Sequence, residues 1–286
     1  MSVRNEPSLE VKNIEGTNFG KYSQQYSKGR DGYPKPLYEH LVNLINDSNA
    51  EVLDVACGTG IATNELQPYF PNVQGLDIDD AMLYQARKIE ESKDKSNRIN
   101  YIHGDATKKI PFEDKKFSLI TVCTAFHWLC KDEKATQGSL PELFRVLKPG
   151  GILAIVHIAR DLHNDPLSKE LKAVIGDIQK KYIKRIVKHP KIDNPDFDPI
   201  KIMQKFNFET PEEVKAFSQI VPTDLEKELA RVQSTSRWNE IDPEDQPAAL
   251  NEMRERMAEI FKKLGDIQPT IEAWTRLYIG RRPIDK

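Results

Sequence analysis

The feature that most constrains the fold is a glycine-rich turn in residues 53–60, LDVACGTG. An apolar run typical of a strand leads into the turn, and a helical pattern begins at Ile61. Gly58 and Gly60 can adopt backbone conformations that other residues avoid, and they let a ligand approach the main chain closely. Backbone N–H groups at the start of the next helix can receive polar ligand atoms. This stretch therefore predicts a strand–turn–helix unit with a ligand beside the turn.

Short β-branched runs alternate with helical patterns through the first half of the chain. The run FSLITVC at residues 117–123 is apolar enough to be buried on both faces, as strands of a parallel sheet are. Strands joined through helices pair in parallel by right-handed crossovers. The fold class is therefore α/β, with a doubly wound, Rossmann-like and mostly parallel sheet. We predict strands over residues 51–55, 73–77, 99–103, 117–123 and 152–158.

The second half of the chain is charged, helical and interrupted by proline. Apolar stripes predict helices over residues 167–186 and 250–264. The stretches that begin at Thr210 and Thr223 resemble capping boxes, which start helices. Period-two alternation predicts two more strands at the sheet edge, over 205–209 and 271–279. The complete fold is thus a seven-stranded sheet with an antiparallel edge strand and a helical cap.

These patterns divide the chain into three regions. Residues 17–33 carry aromatic side chains and glycines without a clear period. We expect them to fold over a bound ligand as a lid, with a poorly ordered N-terminal tail as the alternative. The regions are an N-terminal lid segment at 1–33, a Rossmann-like core at 34–160 with 201–209 and 268–286, and a helical cap or substrate region at 161–200 with 210–267.

Composition excludes several classes of function. The chain of 286 residues has 42 Lys and Arg against 44 Asp and Glu, a net charge of −2 that argues against nucleic-acid binding. No apolar stretch predicts a membrane span, and the N-terminus lacks the apolar core of a signal peptide. Cys57, Cys123 and Cys130 fit neither a disulfide framework nor a zinc site. We expect a cytoplasmic protein without a metal that acts on a small molecule, as a monomer or homodimer.

One acidic residue ends the second predicted strand, and another follows the third. Asp77 could accept hydrogen bonds from a ribose diol, and Asp105 could bind the exocyclic amine of adenine. Each also has a structural alternative, because Asp77 could cap a helix and Asp105 could cap a turn. An NAD site would favour a third glycine where Thr63 stands, and a Walker A loop would need Lys and Ser or Thr after the turn. The pattern therefore favours a nucleoside ligand that is neither NAD nor a nucleotide bound by a Walker A loop.

The ordered motifs DVACGTG, VQGLDIDDAMLYQA, HGDA and LFRVLKPGGILAI resemble those of class I S-adenosylmethionine-dependent methyltransferases, strongly over residues 50–156. The chain departs from the family pattern at Ala56, where glycine is usual. The resemblance implies the Rossmann-like fold and S-adenosyl-L-methionine as the cofactor. The cofactor-binding residues that it implies are Tyr26, Asp54, Gly58, Thr59, Gly60, Asp77, Ile78, Met82, Asp105 and Ala106.

The flanking segments are similar to those of the trans-aconitate methyltransferase group. The similarity lies in NFGKY from Asn18, in Tyr33–Pro34, in AFHW from Ala125 and in WTRLYIGRR from Trp274. Residues 161–267 align with nothing in that group. The resemblance implies methylation of a small molecule, often at a carboxylate oxygen. Alternatives are a hydroxyl or another acceptor such as a natural product, sterol, quinone or protein side chain, or a cofactor-binding module without catalysis.

Candidate acceptor-side residues follow the fourth strand and lie in the flanks. His127 and Trp128 are the candidate catalytic residues, although either side chain could be structural. Arginines could clamp an acidic acceptor bidentately, although single arginines are more often solvated. Residues 129–138 are charged and without an apolar period, which predicts a mobile rim. The candidate substrate-binding residues are Tyr22, Arg30, Arg160 and Arg237.

Overall fold

A computed structural model of the chain describes residues 19–92, 99–160, 166–184 and 197–285. For Phe19, Ala159, Arg160, Lys215 and Ala216 it describes the backbone alone. The described strands are β1 (Glu51–Val55), β2 (Asn72–Asp77), β3 (Asn100–His103), β4 (Phe117–Cys123), β5 (Leu147–Arg160), β6 (Glu209–Pro222) and β7 (Thr270–Arg281). The described α-helices are α1 (Ser23–Gly29), α2 (Lys35–Ile45), α3 (Ile61–Leu66), α4 (Asp80–Glu91), α5 (Phe126–Leu129), α6 (Glu133–Val146), α7 (Pro166–Tyr182), α8 (Pro199–Lys205), α9 (Leu225–Gln233) and α10 (Gln246–Lys263).

The described strands form one seven-stranded sheet in the order β3-β2-β1-β4-β5-β7-β6. Strands β1 to β5 pair in parallel, whereas β7 pairs antiparallel with both β5 and β6. The strand order reverses between β1 and β4, so the carboxyl ends of these two strands define the crevice where doubly wound sheets bind ligands. The predicted fold class is confirmed, with β6 as the antiparallel edge strand.

Apolar layers cover both faces of the sheet. Along β4, Leu119 packs in the layer under α2 and α3, whereas Ile120 and Val122 pack in the layer under α6 and α8. All three side chains are fully buried. This burial on both faces explains why β4 has no polar alternation.

A separate apolar cluster holds the cap together. It joins α7, α9 and α10 to the first residues of β7, with Trp238, Met253, Met257 and Ile271 in its centre. The apolar stripe predicted for α10 is thus confirmed, and Gly265, with φ of 60°, ends the helical region. Tyr22, from the segment before α1, lies in the same cluster.

The sequence places the sixth strand wrongly. The structure has helix α8 up to Lys205, then a turn in which Asn207 takes φ of 62°, and β6 begins only at Glu209. The alternation of Phe206 and Phe208 reflects this helix ending, since both amides donate to Met203 O. The capping box at Thr210 is therefore wrong, because that residue lies inside β6.

Two further predictions need correction. Residues 129–138, predicted as a mobile rim, include the end of α5 and the first turns of α6, where Asp132 accepts a hydrogen bond from Ala135 N–H at 2.7 Å. Asp132 is the N-cap, so charge in this stretch marks a helix start. The N-cap of α9 is Asp224, one residue after Thr223.

Among the described residues, no helix is both long and apolar enough to cross a membrane. Within the same ranges, no group of three or more His, Cys, Asp or Glu side chains could hold a metal ion. Cys57, Cys123 and Cys130 are free thiols.

Candidate active site

The glycine-rich turn leaves the carboxyl end of β1 with three residues in the left-handed region. Ala56, Gly58 and Gly60 take φ values of 55°, 56° and 78°. This conformation is uncommon for alanine, so Ala56 bears backbone strain where the family usually has glycine. A Cβ added to Gly58 would meet no atom within 4 Å, which leaves the main chain of the turn open on that side.

Asp77 ties the turn to the end of β2. Its Oδ2 accepts a hydrogen bond from Gly58 N–H at 2.8 Å, and its Oδ1 accepts one from Asp79 N–H at 2.8 Å. Burial raises the pKa of Asp77, while these two amides favour its charged form. The helix cap of α4 is Asp79, whose Oδ1 accepts from Ala81 N–H at 2.9 Å. A carboxylate has about four acceptor sites, so Asp77 can still accept from a ligand.

Asp54 lies fully buried in β1, on the floor of the site. Thr63 Oγ1 donates to its Oδ2 at 2.6 Å, and Thr121 Oγ1 donates to its Oδ1 at 2.7 Å. Burial raises the pKa of Asp54 to about 6, although the two hydroxyl donors oppose the shift. These bonds join α3, β1 and β4 beneath the turn.

The ends of β2 and β3 present one apolar and one acidic side chain. Ile78 is 59% exposed although it is apolar. The backbone N–H and hydroxyl of Thr107 both donate to Asp105 Oδ1, at 2.9 Å and 2.7 Å. Burial alone would raise the pKa of Asp105, but these donors and Lys108 hold it below its usual value. Asp105 thus makes the turn cap anticipated as its structural alternative. Met82 and Ala106 are buried beside this edge.

The described lid, residues 19–33, is anchored to the core at both ends. At its start, Gly20 N–H donates to Asp79 Oδ2 at 2.8 Å. At its end, Tyr33 N–H donates to Glu65 Oε2 at 3.0 Å, and the hydroxyls of Tyr33 and Thr124 lie 2.9 Å apart. These contacts place the lid over the carboxyl ends of β1 and β4.

A cavity of about 40 Å³ lies between the lid and the glycine-rich turn. It is far smaller than the several hundred Å³ of ordinary ligand pockets. The lining residues are Tyr26, Arg30, Asp31, Tyr33, Asp54, Ala56, Cys57, Ile61, Ala62, Cys123 and Thr124.

Arg30 is a half-buried cation in the wall of this cavity. Its Nε donates to Ser234 Oγ at 3.0 Å, and its Cζ lies 5.2 Å from the centre of the Tyr26 ring. No carboxylate of the described ranges forms an ion pair with Arg30, whereas the neighbouring Asp31 pairs with Lys227. The guanidinium therefore keeps donors available beside the turn.

The other acceptor-side candidates lie elsewhere. His127 and Trp128 are half-buried in α5, directly after β4, with ring centres 5.1 Å apart, but they do not line the cavity. Tyr22 OH donates to Gln246 Oε1 at 2.6 Å, and Arg237 pairs with Glu240 at 2.9 Å, so both are engaged in the cap. The side chain of Arg160 lies outside what the structure describes.

Several residues of the site carry no local sequence signal. Glu65 binds the end of the lid segment, Lys227 of α9 pairs with Asp31, and Ser234, the C-cap of α9, accepts from Arg30. Each lies in an ordinary helical pattern, and its partner is far away in sequence. The hydroxyls beside Asp54 had a weak signal, because Thr63 replaces the third small residue of an NAD motif.

Residues 53–155 match the family model described as a methyltransferase domain. A demethylmenaquinone methyltransferase from Leptospira interrogans is 28% identical over 152 residues, which cover 50% of this chain and 59% of that protein. A malonyl-[acyl-carrier protein] O-methyltransferase from Ilyobacter polytropus is 27% identical over 169 residues, which cover 56% of this chain and 61% of that protein. The chain thus spans less than two thirds of the length of these relatives.

The fold has a counterpart among solved structures. A candidate type II methyltransferase from Anaeromyxobacter dehalogenans superposes with a TM-score of 0.62, at 18% identity, over 90% of this chain and 99% of that one. At this identity the likeness shows the fold alone. The family match runs from Leu53 to Ile155 and so includes the turn and its acidic partners. Residues 53–155 are therefore an S-adenosylmethionine-dependent methyltransferase domain.

Proposed function

We propose that the protein methylates a carboxylate oxygen of a small acid. The observation that carries this proposal is Arg30, a cation in the cavity wall that no described carboxylate neutralises. A guanidinium binds a carboxylate through two parallel hydrogen bonds. The similarity to a malonyl-[acyl-carrier protein] O-methyltransferase and to the trans-aconitate group supports an acidic acceptor.

The residues around the turn fit the cofactor. Asp77 retains acceptor capacity for a ribose diol, and the exposed Ile78 offers an apolar surface to a base. Thr59 Oγ1 is buried without a hydrogen-bond partner in the described chain, as a group that awaits a ligand would be. Asp105 and the main chain at Gly58 complete this proposed site.

For methyl transfer to a carboxylate, the main task of the protein is to position the acceptor next to the methyl group. Bound S-adenosylmethionine supplies a methyl group already activated by its sulfonium centre. A carboxylate is ionised at neutral pH, so no general base is needed. Arg30 would hold the acceptor in line, and this placement supplies much of the rate. Tyr26 and Tyr33 in the closed lid would exclude water.

Methylation of a quinone is the second candidate, favoured by the similarity to a demethylmenaquinone methyltransferase. A quinone would need a broad apolar pocket, whereas Arg30, Asp31 and Asp54 make the cavity wall charged. A hydroxyl acceptor would need a base, and His127 is the candidate. In that case the rate would follow a group with a pKa near 6.5.

A panel of acceptors distinguishes these functions. The enzyme is incubated with S-adenosylmethionine labelled in its methyl group and with trans-aconitate, a malonyl thioester, a catechol or demethylmenaquinone, and the products are identified by mass spectrometry. We expect a methyl ester of an acid, a rate that does not titrate near pH 6.5 and only a modest loss in His127→Ala. A product methylated only on carbon or on a hydroxyl would contradict the proposal. The cytoplasmic location and the monomeric or dimeric state remain predictions.

A further inference from the structure

The start of the lid meets the loop that joins β2 to α4. Gly20 is buried in a short 3₁₀ turn, Phe19–Tyr22, and its N–H donates to Asp79 Oδ2 at 2.8 Å. The approach is close, because a Cβ on Gly20 would lie 2.3 Å from Asp79 Oδ1 and 2.7 Å from Ala81 Cβ. A larger residue at position 20 would therefore displace either Asp79 or the lid.

Asp79 divides its two carboxylate oxygens between a helix and the lid. Oδ1 accepts from the N–H groups of Ala81 and Met82, at 2.9 Å and 3.2 Å, and so caps α4. Oδ2 accepts from Gly20. The two tasks use different atoms, so a substitution can remove one and keep the other.

The backbone of Asp79 extends this contact to the glycine-rich turn. Its N–H donates to Asp77 Oδ1 at 2.8 Å, and Asp77 Oδ2 accepts from Gly58 N–H at 2.8 Å. A continuous series of hydrogen bonds thus joins the lid to the carboxylate proposed to bind the ribose. We propose that Asp79 is a positioning residue, which couples binding of the cofactor at Asp77 to closure of the lid. This inference rests on the proposed cofactor site and does not depend on the acceptor.

The coupling follows from the order of the loop. A ribose diol bound to Asp77 would restrict the loop up to Asp79, which includes the exposed Ile78. A restricted loop presents Asp79 Oδ2 to Gly20, so closure of the lid loses less conformational entropy when cofactor is bound. Such coupling is reciprocal, so a closed lid strengthens cofactor binding by the same factor. Loss of the bond between Asp79 and Gly20 should therefore weaken cofactor binding.

The same turn also reaches the helical cap. Tyr22, two positions after Gly20, lies in the apolar cluster of the cap, and its OH donates to Gln246 Oε1 at 2.6 Å. The position of Gly20 thus affects how the lid meets both the cofactor loop and the cap.

The test uses Asp79→Ser, because serine keeps an N-cap oxygen for α4 but has no second oxygen for Gly20. Calorimetry should show that S-adenosylhomocysteine binds about fivefold to tenfold more weakly than to wild type, as loss of one hydrogen bond to a charged group would cause. Asp79→Asn should give a similar loss, since an amide nitrogen would then face Gly20 N–H.

Asp198→Ser is the matched control. Asp198 caps α8 through the amides two and three positions later, at 2.9 Å and 3.3 Å, as Asp79 caps α4. Helix α8 packs against β6, at the other edge of the sheet from β2 and β3. We expect this variant to bind S-adenosylhomocysteine with wild-type affinity.

A double-variant cycle identifies the route of the effect. Gly20→Ala should displace the start of the lid and weaken binding to a similar extent. The double variant Gly20→Ala with Asp79→Ser should bind no more weakly than either single variant, because both remove the same contact. Hydrogen exchange gives a second readout: saturating S-adenosylhomocysteine should slow exchange in residues 20–29 of wild type but not of Asp79→Ser.

Each opposite result overturns the inference. Wild-type affinity in Asp79→Ser would show that the contact with Gly20 is not coupled to the cofactor. Losses that add in the double variant would show that Asp79 acts on the cofactor without the lid. Equal slowing of exchange in wild type and Asp79→Ser would show that the lid closes without Asp79. These measurements need no acceptor, so if the expected pattern holds but no carboxylate is methylated, the proposed function fails and this inference stands.

Discussion

At the scale of single residues, the site uses buried carboxylates to hold backbone amides in place. Asp77 binds the amides of Gly58 and Asp79, and Asp79 in turn binds Gly20 N–H of the lid. A carboxylate in such a position shapes the turn, and we propose that Asp77 also binds the cofactor. Its removal should therefore affect cofactor affinity more than the removal of a nearby exposed acid.

Asp77→Ala should weaken binding of S-adenosylhomocysteine by about 1–3 kcal/mol, through loss of charge-assisted hydrogen bonds. Calorimetry measures the change directly. Asp80→Ala, whose side chain is 81% exposed, is the matched control and should bind normally. Unchanged affinity in the Asp77 variant would remove Asp77 from the site.

Asp54 predicts a pH dependence of stability. Burial raises its pKa from 3.8 to about 6, so the folded state binds more protons than the unfolded state between these values. This carboxyl therefore makes the free energy of unfolding fall as pH rises from about 4 to about 6, by about 3 kcal/mol in total. Urea titrations over this range should show a smaller fall in Asp54→Asn than in the wild type. Parallel curves would contradict the buried, ionisable state of Asp54.

At the scale of elements, the contact between α1 and α9 determines where the lid lies. Gly29 lies so close to α9 that any side chain would strike its backbone. The sequence shows glycines in this segment without a clear period, and the structure uses Gly29 for close packing. No local pattern indicates this use, because the partner of Gly29 lies some 200 positions later.

Gly29→Ala should therefore force the lid away from α9 and lower the free energy of unfolding by about 1–3 kcal/mol, as overpacking does. Urea denaturation measures the loss. Gly176→Ala in α7 is the control, since a Cβ there meets no atom within 4 Å and alanine favours helix. Equal stability of the two variants would show that α1 and α9 do not pack this closely.

The lid should also respond to cofactor. The cavity beside residues 19–33 is much smaller than ordinary ligand pockets, and we predict that this segment moves when the cofactor binds. We expect hydrogen exchange in this segment to slow when S-adenosylhomocysteine binds, whereas exchange in α10 stays unchanged. An exchange rate in residues 19–33 that does not change on ligand binding would contradict the prediction that this segment closes over the cofactor.

At the scale of the whole molecule, the sequence predicts the parallel half of the sheet well. Strands β1 to β5 carry short apolar runs, and a helix follows each of them except β3, so their parallel pairing follows from crossover rules. The sequence fails where tertiary contacts override local pattern. The capping box at Thr210 lies inside β6 because pairing with β7 decides that segment, and the charged stretch at 129–138 is helical because Asp132 caps α6.

The candidate site divides in the same way, into a part that local sequence patterns predict and a part that depends on distant contacts. The turn, Asp77 and Asp105 lie at strand ends that the sequence locates, so their place at the carboxyl edge of the sheet follows from topology. The acceptor side depends on the cap, whose contacts join residues about 200 positions apart, such as Arg30 and Ser234. For this reason the sequence offers four candidates without ranking them, and the structure places Arg30 in the cavity wall while Tyr22 and Arg237 make contacts within the cap.

The central claim is that Arg30 binds the carboxylate that becomes methylated. The most direct measurement is kcat/KM for methyl transfer to the best acid of the panel, in wild type, Arg30→Lys and Arg30→Met. We predict a fall of about a hundredfold in Arg30→Met, mostly through KM, a smaller fall in Arg30→Lys and unchanged affinity for S-adenosylhomocysteine. Wild-type kcat/KM in Arg30→Met would contradict the account.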